Sequence, residues 1–114
     1  MKNNEFNANN ASLSVDLSEA RQAVKENRFQ DALDLFEIIL KDNPDHIDSL
    51  YLASVSSRYL KNFDESKKFI ERLMVIAPDM GRAYQELGHI YRDMGNIDKA
   101  VSYTHLTLPT ILLV

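Results

Sequence analysis

The segment from Ala83 to Ala100 reads AYQELGHIYRDMGNIDKA, and its pattern of small residues recurs upstream at a fixed distance. Shifting the chain by 34 residues superimposes small residues in two columns: Ala20, Ser54 and Gly88 in the first, and Ala32, Ser66 and Ala100 in the second. Pro44 and Pro78 obey the same spacing. A period of this length is typical of a solenoid, in which each repeat buries its apolar face against its neighbours.

Each 34-residue unit reads as two helices. In the first unit, apolar side chains recur at intervals of three and four residues from Ala32 to Leu40, which is the helical spacing. Pro44 then ends this helix, because proline lacks the amide donor and its ring clashes with the preceding turn. The pattern therefore predicts an all-α fold, a helix-turn-helix solenoid of about two and a half repeats.

The repeat register also predicts where helices end and which side chains are buried. We expect five helices between residues 13 and 100. Their breaks are expected near Asn27, Pro44, Lys61, Pro78 and Gly95. The side chains expected to be mostly buried are Ala32, Phe36, Ile39, Leu40, Ala53, Ile70, Leu73, Leu87 and Tyr91.

The register divides the chain into five segments. They are a tail of residues 1–11, complete repeats at 12–46 and 47–80, a truncated repeat at 81–100, and a divergent segment at 101–114. The first ten residues contain five asparagines and one aromatic residue, Phe6, so they cannot bury enough surface to offset ordering. We expect a disordered tail there, and the alternative is a docking peptide around Phe6.

The run Ala83-Tyr84-x-x-Leu87-Gly88-x-x-Tyr91, followed by Gly95-Asn96 and Ala100, resembles the signature of the tetratricopeptide repeat family. The resemblance extends upstream to Leu13. It implies a protein-interaction module that is a fragment of a longer protein, without catalytic residues of its own. In this family the first helices of successive repeats line a concave groove that holds an extended peptide.

Cationic and aromatic residues occupy the positions that face this groove in the family. Carried over by the 34-residue register, they include Arg21, Lys25, Tyr51, Arg58, Tyr59, Arg82, His89 and Arg92. Arginine pairs with carboxylates through two parallel hydrogen bonds, and Arg and Tyr dominate binding hot spots. We therefore expect a protein or peptide partner that is acidic or presents a C-terminal carboxylate. The alternative is that these residues are the solvated sides of their helices.

One specialised form of the groove is not expected. The chaperone-tail clamp of some family members needs lysines and asparagines at set places. Those places hold Leu17, Arg21, Leu52 and Glu86 here, with Arg82 as the single basic match.

Composition narrows the function classes. The chain has 13 Lys+Arg against 17 Asp+Glu, and the net charge of -4 disfavours nucleic acid as a partner. The absence of cysteine excludes thiolate metal sites and cysteine nucleophiles. No apolar run approaches the roughly 18 residues of a membrane span, and no secretory signal opens the sequence, so we expect a cytoplasmic protein without membrane partners. No phosphate-binding loop or helical metal-ligand spacing occurs, so we expect no cofactor, metal or catalytic residue.

The last fourteen residues depart from the repeat pattern. The columns that hold Phe36 and Ile39 in the first repeat fall here on Thr104 and Thr107. The ten residues that start at Val101 resemble a translated transposase-type sequencing adapter. We therefore expect residues 101–114 to be a non-native tail on a truncated gene fragment, and the alternative is a genuinely divergent tail.

A second function hypothesis concerns the parent protein. The runs Ser49-Leu50-Tyr51-Leu52-Ala53 and Pro78 to His89 resemble the repeat arm of bacterial fusions between such repeats and a sulfotransferase. In those fusions the catalytic domain, which uses a sulfonucleotide donor, follows the repeats. Nothing in these residues would bind that donor. The alternative function is therefore the N-terminal repeat region of a sulfotransferase whose catalytic domain lies outside this sequence.

Overall fold

The computed structural model describes residues 17–103, and within them it contains six helices and no strand. The expectations for the tail at 1–11 and for residues 104–114 lie outside this range. The helices are α1 at residues 17–25, α2 at Phe29–Asp42, α3 at Ile47–Tyr59, α4 at Phe63–Ile76, α5 at Gly81–Asp93 and α6 at residues 97–103. Consecutive helices pair as α1–α2, α3–α4 and α5–α6, which is the all-α helix-turn-helix solenoid that the period predicts.

The first helix of each repeat ends in the same way. Asn27, Lys61 and Gly95 are spaced 34 residues apart and have φ values of 63°, 66° and 86°. After each of them, the next amide bonds back to a carbonyl of the last helical turn, as when Asn96 N–H donates to Tyr91 at 2.7 Å. This is the geometry of a left-handed helix cap. A Cβ at Gly95 would meet no atom within 4 Å, so backbone conformation rather than space favours glycine there.

The second helices end just before the two prolines. The amides of Asn43 and Ala77 donate to Ile39 and Leu73 at 2.9 Å and 2.7 Å, and Pro44 and Pro78 follow. Because proline has no amide hydrogen, the chain turns into the next repeat at these points. All five predicted breaks are confirmed.

The core forms two clusters between neighbouring repeats. One is centred on Phe36 and Ile39 and joins the first and second repeats, and the other is centred on Ile70 and Leu73 and joins the second and third. Every side chain predicted to be mostly buried is at most 7% exposed, except that Leu40 is only half-buried.

The small-residue columns lie where the two helices of a repeat cross. In the first repeat Ala20 and Ala32 are both fully buried. In the second repeat Ser54 Oγ donates to the carbonyl of Ser66 at 2.8 Å, and Ser66 Oγ donates to the carbonyl of Ser54 at 2.6 Å. The serines are therefore small packing residues whose hydroxyls link α3 to α4.

The prediction of five helices is one too few. α6 starts at residue 97 and continues past residue 100 to Tyr103, whose ring stacks on Tyr91 with centroids 5.6 Å apart. Burial of Ala100 against α5 favours this extra helix despite the missing apolar stripe. The predicted boundary at residue 100 is therefore not a break in secondary structure. Within residues 17–103, no helix is both long enough and apolar enough to cross a membrane.

Candidate functional site

The first helices α1, α3 and α5 carry the candidate binding face, and ion pairs cross between them. Arg21 on α1 pairs with Asp48 on α3, and both side chains are about half exposed, at 47% and 55%. An exposed pair of this kind contributes little to stability, since water screens it. It does, however, place a carboxylate of the chain itself beside one of the predicted groove arginines.

Arg58 is the clearest departure from the predicted groove. Its side chain is only 9% exposed, and it forms a two-point ion pair with Glu86 on α5, whose side chain is 2% exposed. Arg58 Nε lies 2.7 Å from Glu86 Oε2, and Nη2 lies 3.3 Å from Oε1. A third contact joins Arg58 Nη1 to Asp93 Oδ2 at 2.9 Å. The expectation that Arg58 presents an outward guanidinium is therefore wrong, because two carboxylates of the third repeat already hold it.

The electrostatics of this ion network follow from its burial. Burial raises the pKa of the Glu86 carboxyl, against the opposing effect of the Arg58 guanidinium. For Asp93, burial acts in the same direction, but the hydrogen bonds from Arg58 and Arg92 outweigh it and lower its pKa. For Arg58, burial acts to lower the pKa, while its bonds to Glu86 and Asp93 raise it above the ordinary value. Arg58 is thus a charged structural link between the second and third repeats.

The two predicted aromatic anchors differ in their surroundings. The ring of Tyr51 is half-buried, and the guanidinium carbon of Arg82 lies over it at 4.6 Å from the centroid. Tyr59 is 56% exposed, but its ring stacks on Phe29 with centroids 4.5 Å apart and an interplanar angle of 4°. The structure thus brings Tyr51 together with Arg82 across α3 and α5, whereas Tyr59 packs against the start of α2.

Four exposed side chains of α5 form a continuous line that we call the α5 stripe: Arg82, Gln85, His89 and Arg92. Their spacing of three, four and three residues keeps them on one side of the helix over about 15 Å. Burial, and then the positive charges of Arg92 and Arg58, lower the pKa of His89 below 6.5. A neutral imidazole between two guanidiniums can accept or donate a hydrogen bond.

The cations of this face are not equally committed. Arg92 shares Asp93 with Arg58, at 3.1 Å from Arg92 Nη2 to Asp93 Oδ1. Among residues 17–103, no carboxylate forms an ion pair with Arg82 or with the exposed Lys25. The structure therefore divides the predicted strip into neutralised members, Arg21 and Arg58, and available members at its two ends.

Sequence reasoning missed Glu86 and Asp93 as members of the site. Glu86 lies between the aromatic and apolar positions Tyr84 and Leu87 of the third repeat, on a helix face that packs on α3. An acidic residue at a buried helical position is uncommon unless it is paired, and that was the available signal. In the part of the chain that the structure describes, no cluster of three His, Asp or Glu side chains could hold a metal ion.

Comparison with protein families and curated proteins gives one local match. Residues 81–103 match the profile of the tetratricopeptide repeat, and this range includes the whole of α5 and α6 as described. The match thus covers the third repeat and extends three residues past Ala100. A search of curated proteins finds no match.

Comparison with solved structures finds the same architecture in MamA. The MamA MSR-1 C2 structure aligns with a TM-score of 0.75 and 19% identity over 87% of this chain and 58% of that chain. The MamA AMB-1 P212121 structure aligns with a TM-score of 0.77 and 18% identity over 89% of this chain and 61% of that chain. At such identities the likeness concerns the fold. The present chain spans about three fifths of the length of these neighbours.

Proposed function

We propose that this chain is a tetratricopeptide-repeat scaffold that binds a protein partner along its first-helix face. The fold supports this proposal, because stacked helix pairs present a long row of parallel helices whose outward side chains are free to vary. The observation that carries it is the α5 stripe, where Arg82, His89 and Arg92 are exposed on one side of a single helix. Arginines on a rigid helix next to an aromatic ring are typical of binding hot spots.

The finer proposal is that the partner is an acidic peptide or a C-terminal carboxylate. Arg82 is the main reason, since it lies flat over the ring of Tyr51 and forms no ion pair within residues 17–103. Its guanidinium edge is free to receive a carboxylate in two-point fashion while its face remains on the aromatic ring. Arg92, about 15 Å further along α5, would contact a second acidic residue.

A titration of labelled acidic peptides tests this proposal. The probe is fluorescein-Glu-Asp-Tyr-Glu-Glu-Val, used with a free C-terminus and as the C-terminal amide. We expect Arg82→Gln and Arg92→Gln each to weaken binding by about fivefold, as for the loss of one partly screened ion pair. Lys68→Gln is the matched control, because Lys68 is a 75% exposed cation on α4. Equal affinities for all three variants, or no measurable binding by the parent chain, would refute the acidic-peptide assignment.

The sulfotransferase alternative and the adapter origin of residues 101–114 concern the source gene. Both are supported by sequence resemblance alone, and one experiment addresses them. Sequencing the source DNA across and beyond the Ala100 codon would identify the codons downstream of the third repeat. Genomic codons for residues 102–110 would overturn the adapter origin. A downstream phosphate-binding loop would favour the sulfotransferase parent, whereas further 34-residue units would favour a longer scaffold.

A further inference from the structure

The opposite side of the solenoid carries a groove between the second helices α2 and α4. Both helices pack on α3, and the space left between them has a volume of about 620 Å³. We call this the second-helix groove. Its floor is apolar and consists of Ile38, Leu40 and Phe69. Its rim carries the carboxylates of Asp34, Glu37 and Glu65, with Lys41 as the one cation of the lining.

The floor is rigid where it meets the core but open to solvent above. Leu40 and Phe69 are half-buried, and each packs against both core clusters, so their positions are fixed by the junction of the first two repeats. Ile38 is 51% exposed although it lies at the centre of a helix. An apolar side chain entering the groove would therefore cover Ile38 without disturbing the core.

The charges around the groove are largely unmatched, unlike those of the first-helix face. Asp34 accepts a hydrogen bond from the Gln30 amide at 2.9 Å, which leaves its charge uncompensated. Glu65 has only a long contact with the exposed Lys68, at 3.7 Å. Glu37 forms no ion pair with any residue from 17 to 103. Three carboxylates against one ammonium give this surface an excess of two negative charges.

We propose that the second-helix groove is a second docking site, which binds a basic peptide segment bearing a large apolar side chain. The apolar side chain would pack on Ile38, Leu40 and Phe69, and flanking Lys or Arg residues would pair with the rim carboxylates. Apolar contact in the floor supplies affinity, and the acidic rim supplies selection by charge. This site is on different helices from the α5 stripe and has the opposite charge preference, so it does not depend on the proposed first-helix partner.

The test is fluorescence anisotropy with a defined panel of labelled peptides. The panel is Lys-Lys-X-X-Lys-Arg with each X being Leu, Ile, Phe or Met. One comparator replaces both X residues by Ser, and another replaces every cation by Glu. We expect the panel to bind more tightly than either comparator, and high salt to weaken binding because the rim is exposed.

Variants at exposed positions assign the binding to this groove. Ile38→Ser should weaken the best panel peptide by about tenfold, because half of an isoleucine side chain loses its apolar contact. Glu37→Gln combined with Glu65→Gln should weaken it by about fivefold. The matched controls are Val75→Ser and Glu71→Gln, both exposed on α4 and outside the groove lining, which should leave affinity unchanged.

Two results would overturn the proposal. One is a panel that binds no better than its serine comparator, since the apolar floor would then contribute nothing. The other is binding that is insensitive to Ile38→Ser but lost in Arg82→Gln, which would move the basic peptide to the first-helix face. Far-UV circular dichroism on each variant establishes that the helices remain intact.

Discussion

Arg58 on α3 and Glu86 on α5 form a buried two-point ion pair, with 2.7 Å between Arg58 Nε and Glu86 Oε2. The pair joins the second repeat to the third across the face that would otherwise be a cationic groove. Because each side chain is less than 10% exposed, removing one partner leaves the other desolvated and unbalanced. The chain itself therefore supplies the carboxylate that sequence reasoning assigned to a ligand.

The first prediction concerns this pair. Arg58→Ala should lower the free energy of unfolding by about 3 kcal/mol, since Glu86 would be left buried without its cation. The double variant Arg58→Met with Glu86→Leu should recover most of that loss, because it buries two apolar side chains of similar size. Urea unfolding followed by circular dichroism measures both.

Arg21→Ala is the control for the same measurement. It removes an ion pair whose side chains are about half exposed, so we expect a change within about 1 kcal/mol. If Arg21→Ala and Arg58→Ala were equally destabilising, burial would not be what distinguishes the two arginines.

The second prediction concerns the protonation of His89. Burial and the nearby charges of Arg92 and Arg58 lower the pKa of its imidazole below 6.5, the ordinary value. Since the unfolded chain then takes up a proton first as the pH falls, stability should decrease from about pH 6.5 down through the folded-state pKa. A titration of the His89 ring signal by NMR gives that pKa directly.

Arg92→Gln tests the cause of the His89 shift. Removing this positive charge should move the folded-state pKa of His89 upward, towards 6.5. Lys68→Gln on α4 changes the net charge equally and should leave the His89 signal where it was. An unchanged midpoint in Arg92→Gln would mean that burial alone causes the shift.

The period predicted the fold because its signals are local. Left-handed residues at Asn27, Lys61 and Gly95, and prolines at Pro44 and Pro78, each act on the backbone within a turn. The site was predicted less well because it depends on which side chains meet across helices. Register alone placed Arg58 outward. Only the packing of α5 on α3 reveals that Glu86, 28 residues away, holds it.

The third prediction concerns Ser54 and Ser66, which exchange hydrogen bonds between α3 and α4. Each single alanine substitution removes one hydroxyl and should cost about 1 kcal/mol of stability. The double variant should cost less than the sum, because the corresponding positions of the first repeat hold Ala20 and Ala32, which are also fully buried. Thermal unfolding of the set measures this coupling, and strictly additive losses would contradict it.

The last prediction concerns Tyr103, the final residue of α6 that the structure describes. Its ring stacks on Tyr91 at 5.6 Å between centroids, and Tyr91 is 7% exposed. Tyr103→Ala should therefore lower the free energy of unfolding by about 1–2 kcal/mol, from lost aromatic contact and burial. Val101→Ala is the control in the same helix, since Val101 is 47% exposed and should cost no more than about 0.5 kcal/mol. Hydrogen exchange should rise mainly in α5, against which Tyr103 packs, while α2 and α3 keep their protection. If Tyr103→Ala were as mild as Val101→Ala, the contact would not stabilise the third repeat, and the functional end of the solenoid would lie at residue 100.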